Sequence, residues 1–222
     1  MKRRLLETAA DFIFPRRCPF CREVTGGGIC DECAVWAEKI RRADPAVSLS
    51  AEHDAIDFAA AVYWYDEPVR SAILRMKDAE DRQTARTLSD CLRKVLLTRS
   101  EFRCAEAVVP VPASAQEFKS RGYTVPMWLS EFTVRDTGIP VCSDTLLKVR
   151  ETKRQASLSG QGRRKNLRKA FSVPESRREN LPDAVVLIDD VFTTGSTLNE
   201  CARALKCAGV EYCCALTLAV TK

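Results

Sequence analysis

The chain has 222 residues, 45% of them hydrophobic and 29% charged, a balance that excludes a disordered polyelectrolyte and leaves room for one α/β domain with a small appendage rather than two full domains. Its 35 basic and 30 acidic side chains give a formal net charge of +5, which suits phosphorylated small molecules as well as it suits nucleic acid. The apolar run Cys213 to Val220 is far too short to span a bilayer, and eleven cysteines without a secretory signal point to a reducing, cytoplasmic setting.

The first residues, MKRRLLETAADFIF, have the basic start of a signal peptide, but Glu7 and Asp11 interrupt any apolar core, so an amphipathic helix is expected. Next come Cys18, Cys21, Cys30 and Cys33, two C-x-x-C pairs around a tip containing Gly26, Gly27 and Gly28. Each pair offers two thiolates from one turn, and the glycines let the hairpin fold back so that four sulfurs surround one Zn2+. A closed four-sulfur site leaves no open position for chemistry, so the expected role of the zinc is structural. A redox motif would need one pair at a helix start, whereas two are present. The other cysteines, Cys91, Cys104, Cys142, Cys201, Cys207, Cys213 and Cys214, share no ligand spacing and are expected in the core.

Residues 1–45 are expected to hold the helix and the zinc-ribbon-like module, 46–54 a linker, and 55–222 the main domain. His53 is the only histidine, which excludes a histidine triad or a multi-histidine metal site, and its polar surroundings predict a solvated connector. Periodicity then predicts a strand from Phe58 to Tyr65, helices over Pro68 to Lys77 and Thr84 to Leu97, and a buried strand at Val108 to Pro112. A helix from Val125 to Thr137, a strand from Thr145 to Val149 and a polar basic stretch from Arg150 to Arg168 follow.

The strongest signal is near the end: the apolar run Ala184 to Ile188, the pair Asp189-Asp190, the segment Val191-Phe192-Thr193-Thr194-Gly195-Ser196-Thr197, then a helical pattern through Ala208. This order predicts strand, loop and helix. In open α/β sheets ligands bind beyond the carboxyl ends of strands, which would place both acids at the functional edge. A hydroxyl-rich loop with a glycine opening a helix favours a phosphate, and paired carboxylates accept hydrogen bonds from two sugar hydroxyls. No Gly-Lys-Ser/Thr follows the glycine, so the segment is not a P-loop. Aspartate and threonine also cap helices for structural reasons alone, the plainer reading of the same residues.

VVLIDDVFTTGST at Val185 to Thr197 resembles the phosphoribosyl pyrophosphate motif of type I phosphoribosyltransferases. With the N-terminal cysteines, VVPVP at Val108 to Pro112, RGY at Arg121 to Tyr123 and KRQASLSGQGRRKN at Lys153 to Asn166, the chain resembles the ComF family of competence-associated, phosphoribosyltransferase-like proteins. The resemblance implies a mostly parallel sheet flanked by helices, with Mg2+ accompanying the substrate. It implies catalytic roles for Asp189, Asp190, Lys119 and Arg121, and contacts to phosphoribosyl pyrophosphate from Val111, Asp189, Asp190, Val191, Thr193, Thr194, Gly195, Ser196 and Thr197. Lys153, Arg154, Gln155, Arg163, Arg164 and Asn166 would lie in a mobile loop that closes over the substrate.

The family's Arg-Gly-Phe-Asn-Gln segment stands here as Arg121-Gly122-Tyr123-Thr124-Val125, which keeps the aromatic and drops both amides. Some purine-using relatives carry a base at the position of Thr193, which has no such function. Three functions stay open on these residues: transfer of phosphoribosyl to an acceptor, a sensor that binds phosphoribosyl pyrophosphate without turnover, and an accessory factor in DNA uptake that meets single-stranded DNA or an uptake helicase.

Overall fold

The computed structural model describes residues 16–114, 118–119, 122–150 and 169–222. The expected N-terminal helix, Arg121 and the six residues assigned to a closing loop lie outside them. In chain order the described elements are α1 (Asp31–Ile40), β1 (Phe58–Trp64), α2 (Val69–Asp78), α3 (Arg82–Thr98), a 3-10 turn (Ser100–Phe102), β2 (Ala107–Pro110), α4 (Val125–Thr133) and β3 (Leu147–Lys148). They continue with β4 (Phe171–Ser172), a single helical turn α5 (Glu175–Arg178), β5 (Ala184–Phe192), α6 (Ser196–Ala208) and β6 (Tyr212–Val220).

Four strands form one parallel sheet in the order β1-β6-β5-β2. The two central strands are apolar almost throughout because helices cover both faces, which a parallel sheet requires. On one face Val186 and Ile188 of β5 meet Ile73 and Met76 of α2, Leu88 and Leu92 of α3, and Leu129 of α4. On the other, Val185 and Leu187 meet Leu198, Cys201 and Leu205 of α6 together with Phe171 of β4. The helices bear the signals that local chemistry demands. Asp81 caps α3 by accepting the Thr84 N–H at 3.1 Å, and Thr124 caps α4 by accepting from Met127 N at 3.2 Å. A two-stranded antiparallel sheet, β3 with β4, lies apart from the main sheet.

Several features differ from the expectations: of the cysteines expected in the core, Cys104 and Cys207 are exposed and Cys91 and Cys142 half-buried, and the helix expected to reach Thr137 ends at Thr133. β5 does not end at Ile188 but carries both aspartates inside the strand and runs to Phe192, because β6 is long enough to pair with it through Val220. The segment read as a linker lies along the free edge of β1, with Val47 N donating to Ala59 O at 2.8 Å and an antiparallel bridge between Ala46 and Ala60. Among the described residues no helix is long and apolar enough to cross a membrane.

Candidate functional site

Cys18, Cys21, Cys30 and Cys33 converge, with all four Sγ atoms within 4.8 Å of one another. The Cys21 and Cys30 sulfurs are 3.6 Å apart, close to the ~3.8 Å edge of a tetrahedron with Zn–S bonds near 2.3 Å. The four sulfurs therefore fit one tetrahedral zinc, as a zinc-ribbon-like module requires. Burial opposes ionisation of Cys18, but backbone N–H groups of Cys21, Cys30 and Phe20 outweigh it and bring its pKa down to about 7. Burial pushes the Cys33 thiol up. The knuckle is seated on the main domain: Arg22 pairs with Asp81, and Arg75 of α2 donates to the Pro19 carbonyl. Cys18 and Phe20 belong to the same buried cluster as α2 and α3.

The second site lies at the carboxyl end of β5. Neighbouring residues on a strand point to opposite faces, so Asp189 follows Leu187 toward α6 and Asp190 follows Ile188 toward α2. Both still line a pocket of about 300 Å³, whose wall is made by Lys77, Asp78, Val111, Pro112, Ala113, Tyr123, Thr124, Val125, Pro126 and Lys148. Asp190 Oδ2 is sealed from solvent and forms an ion pair with Lys77. Burial works against the Lys77 charge, but Asp190 and, more weakly, Asp189 more than offset this and raise its pKa. Asp189 is the reverse case: burial, with Asp190 beside it, pushes its pKa up to about 8 against the opposing pull of Lys77. The Lys77 ammonium thus faces two adjacent acids, of which Asp189 is driven toward its protonated form.

Asp78 and Lys148 of this wall were not foreseen, nor were two residues that set its charge and shape. Lys77 sits in the last turn of a helix whose pattern signalled only packing, and it reaches the acids because α2 ends beside β5. Tyr123 holds that helix end, its single hydroxyl proton shared between the Lys77 carbonyl at 3.2 Å and the Met76 carbonyl at 3.4 Å. Its ring stacks on Trp128 with centroids 4.0 Å apart. The aromatic of the RGY segment therefore places Lys77, and a tyrosine does so through a hydroxyl that phenylalanine lacks. Lys119, by contrast, is exposed and not part of the described pocket wall, whereas Val111 is part of it.

The loop after β5 turns on Gly195, whose φ of 68° is left-handed. A Cβ there would stand 2.4 Å from both His53 Nε2 and Phe192 Cζ, so the position tolerates only hydrogen. Gly195 is also the N-cap of α6 and supplies no side-chain bond, which leaves the first-turn N–H groups of the helix without a side-chain cap. Thr193 and Thr194 are exposed, Val191, Ser196 and Thr197 half-buried, and Thr194 Oγ1 lies 3.0 Å from Ser196 Oγ. A larger hollow of about 700 Å³ lies between the β3–β4 pair and α6; of its charged groups Asp54, Glu200 and Arg203 are engaged with one another and Arg178 with Glu175, while Lys169 also lines it.

Comparison with protein-family models gives no match. Competence protein F of Haemophilus influenzae is 32% identical over 216 residues, covering 89% of this chain and 94% of that protein. DNA utilization protein YhgH of Salmonella typhimurium is 27% identical over 86% of this chain and 91% of its own length. Competence protein ComFC of Bacillus subtilis is 25% identical over 85% and 70%. With a relative of this identity matched along nearly its whole length, and with the four-cysteine knuckle and the parallel sheet in place, the chain belongs to the ComF family.

Proposed function

We propose that this protein serves in DNA uptake or utilization, in line with relatives named for competence and for DNA utilization, through a pocket that binds phosphoribosyl pyrophosphate with Mg2+. The single observation that carries the ligand reading is the Asp189, Asp190 and Lys77 cluster at the end of a central parallel strand. A ribose offers two hydroxyls to the carboxylates, and its pyrophosphate offers an anion to the ammonium. The first turn of α6 and the hydroxyls of Thr193, Thr194, Ser196 and Thr197 suit the 5'-phosphate. The described wall supplies oxygen ligands from Asp78, Asp189 and Asp190 and neither sulfur nor imidazole, a donor set for a hard cation. When bound with the ligand, Mg2+ would supply positive charge to the pyrophosphate.

The chain's own residues would act in sequence on charge. Ligand hydroxyls displace Lys77 from Asp190, the freed ammonium turns to the anionic group, and Asp189, its pKa drawn down by a divalent cation held beside it, passes its proton to solvent. If transfer to an acceptor follows, cleavage of the C1–O bond builds positive charge on the ribose, which the two carboxylates balance. Calorimetric titration with phosphoribosyl pyrophosphate and Mg2+ tests the reading. Wild type should bind, and a variant with Asp189→Asn and Asp190→Asn should bind far more weakly. Equal binding by the two, or none by either, would remove the ligand assignment. Release of pyrophosphate on adding candidate acceptors distinguishes an enzyme from a sensor. A steep salt dependence of single-stranded DNA binding would show that the DNA role is direct.

A further inference from the structure

His53 does not behave as a solvated connector. It sits in a strap, residues 50–57, that is bonded to α6 along its length: Ala55 N donates to Asn199 Oδ1 at 3.0 Å, Asn199 Nδ2 donates to the Glu52 carbonyl at 2.9 Å, and Arg203 pairs with Asp54 at 2.6 Å. Within the strap, Ser50 N lies 3.1 Å from His53 Nδ1, while Nε2 lies 2.9 Å from the Thr194 carbonyl. A backbone N–H only donates and a carbonyl only accepts, so both bonds are satisfied by one tautomer, with the proton on Nε2. The same ring fills the space behind Gly195 that a side chain would need, and it leans on Phe192 with centroids 5.6 Å apart. In a trans peptide the C=O and N–H point in opposite directions. Turning the Thr194 carbonyl toward His53 therefore aims the Gly195 N–H away from the strap.

We propose that His53 is a positioning residue for the loop at 193–195: by donating its Nε2–H to the Thr194 carbonyl, it holds these peptides in the orientation in which they receive a phosphate group. The inference rests on the reading of 193–197 as a phosphate cradle. It assigns a function to the chain's single histidine, 141 residues away from its partner in sequence.

Because the chain has one histidine, nitrogen-15 spectra of the imidazole report on it without further assignment. The expected spectrum at pH 8 is the Nε2–H tautomer, whose signals shift when phosphoribosyl pyrophosphate and Mg2+ are added. His53→Phe should speed amide exchange at Gly195 to Thr197 and weaken binding about tenfold, the scale of one lost hydrogen bond. His53→Gln, which carries an N–H near the place of Nε2, should restore slow exchange and most of the affinity. The proposal is overturned by an Nδ1–H tautomer in wild type, by unchanged loop exchange in His53→Phe, or by unchanged affinity in that variant when wild type binds. If wild type binds no ligand, the phosphate reading falls, and the tautomer and the exchange rates still decide whether His53 positions the loop.

Discussion

Replacing Asp189 by asparagine should make the empty protein more stable, and more so as the pH rises. The Asp189 carboxyl has its pKa raised from 3.8 to about 8, chiefly by burial. Between these values the folded state binds a proton that the unfolded state has released, so the stability of wild type falls with increasing pH across this window and levels off above about 8. At 1.36 kcal/mol per unit, the interval from pH 5 to pH 9 carries roughly 4 kcal/mol. Because Asp189 borders an open pocket, solvent screens part of this, and we take about half, ~2 kcal/mol. Asparagine has the same shape, keeps an oxygen to accept the Asp190 N–H, which lies 2.8 Å from Asp189 Oδ1, and does not titrate. Urea unfolding at pH 5, 7 and 9 should show a stability difference between variant and wild type that grows by ~2 kcal/mol, and thermal unfolding a midpoint difference that grows by about 4–8 °C for a chain of this size. A difference that is independent of pH, or that shrinks as pH rises, would refute the reasoning.

Lys77→Met should act in the opposite sense, because it leaves the buried Asp190 side chain without its cation; the 40% exposure of the lysine side chain limits the loss to about 1–2 kcal/mol, read as a lower melting midpoint. The same variant should weaken phosphoribosyl pyrophosphate binding more than ribose 5-phosphate binding, which calorimetry with the two ligands checks. Gly195→Ala meets the His53 and Phe192 rings and a left-handed φ together, so a destabilisation of about 2–4 kcal/mol is expected in denaturant unfolding. Cys30→Ser should reduce zinc from one per chain to near zero by elemental analysis. It should also lower the melting midpoint of the main domain, since Cys18 and Phe20 share its core.

The sequence carried the local features well. The helices around Val69–Asp78 and Arg82–Thr98 and the buried strand at β2 have periodicities set by the faces they cover, and their bounds shift by only a residue or two. The acid pair and the glycine loop were legible because the chemistry is contiguous along the chain. Elements without a periodic signal were not: β6 is an almost wholly apolar run, read only as too short to span a membrane, and α1 has Cys30 as its N-cap with no capping side-chain bond. The extent of β5 depends on the length of β6 beside it, and strand ends set by a neighbour leave no local mark. Lys77 and His53 escaped for a similar reason. A lysine at a helix end and a histidine in a polar segment are ordinary residues until the sheet brings Asp190 and Thr194 to them.

The last turn of α2 is gripped from two sides. Arg75 reaches the Pro19 carbonyl in the first cysteine turn, and Lys77 reaches Asp190 in the pocket. Residues two apart on a helix point roughly opposite ways, so the turn is a short crossbar between the knuckle and β5, with Tyr123 bolted to its carbonyls. A crossbar cannot rotate toward one support without withdrawing from the other. The seating of the cysteine hairpin and the reach of the pocket lysine are therefore not independent quantities, and a change in either is registered at the other within a single helical turn.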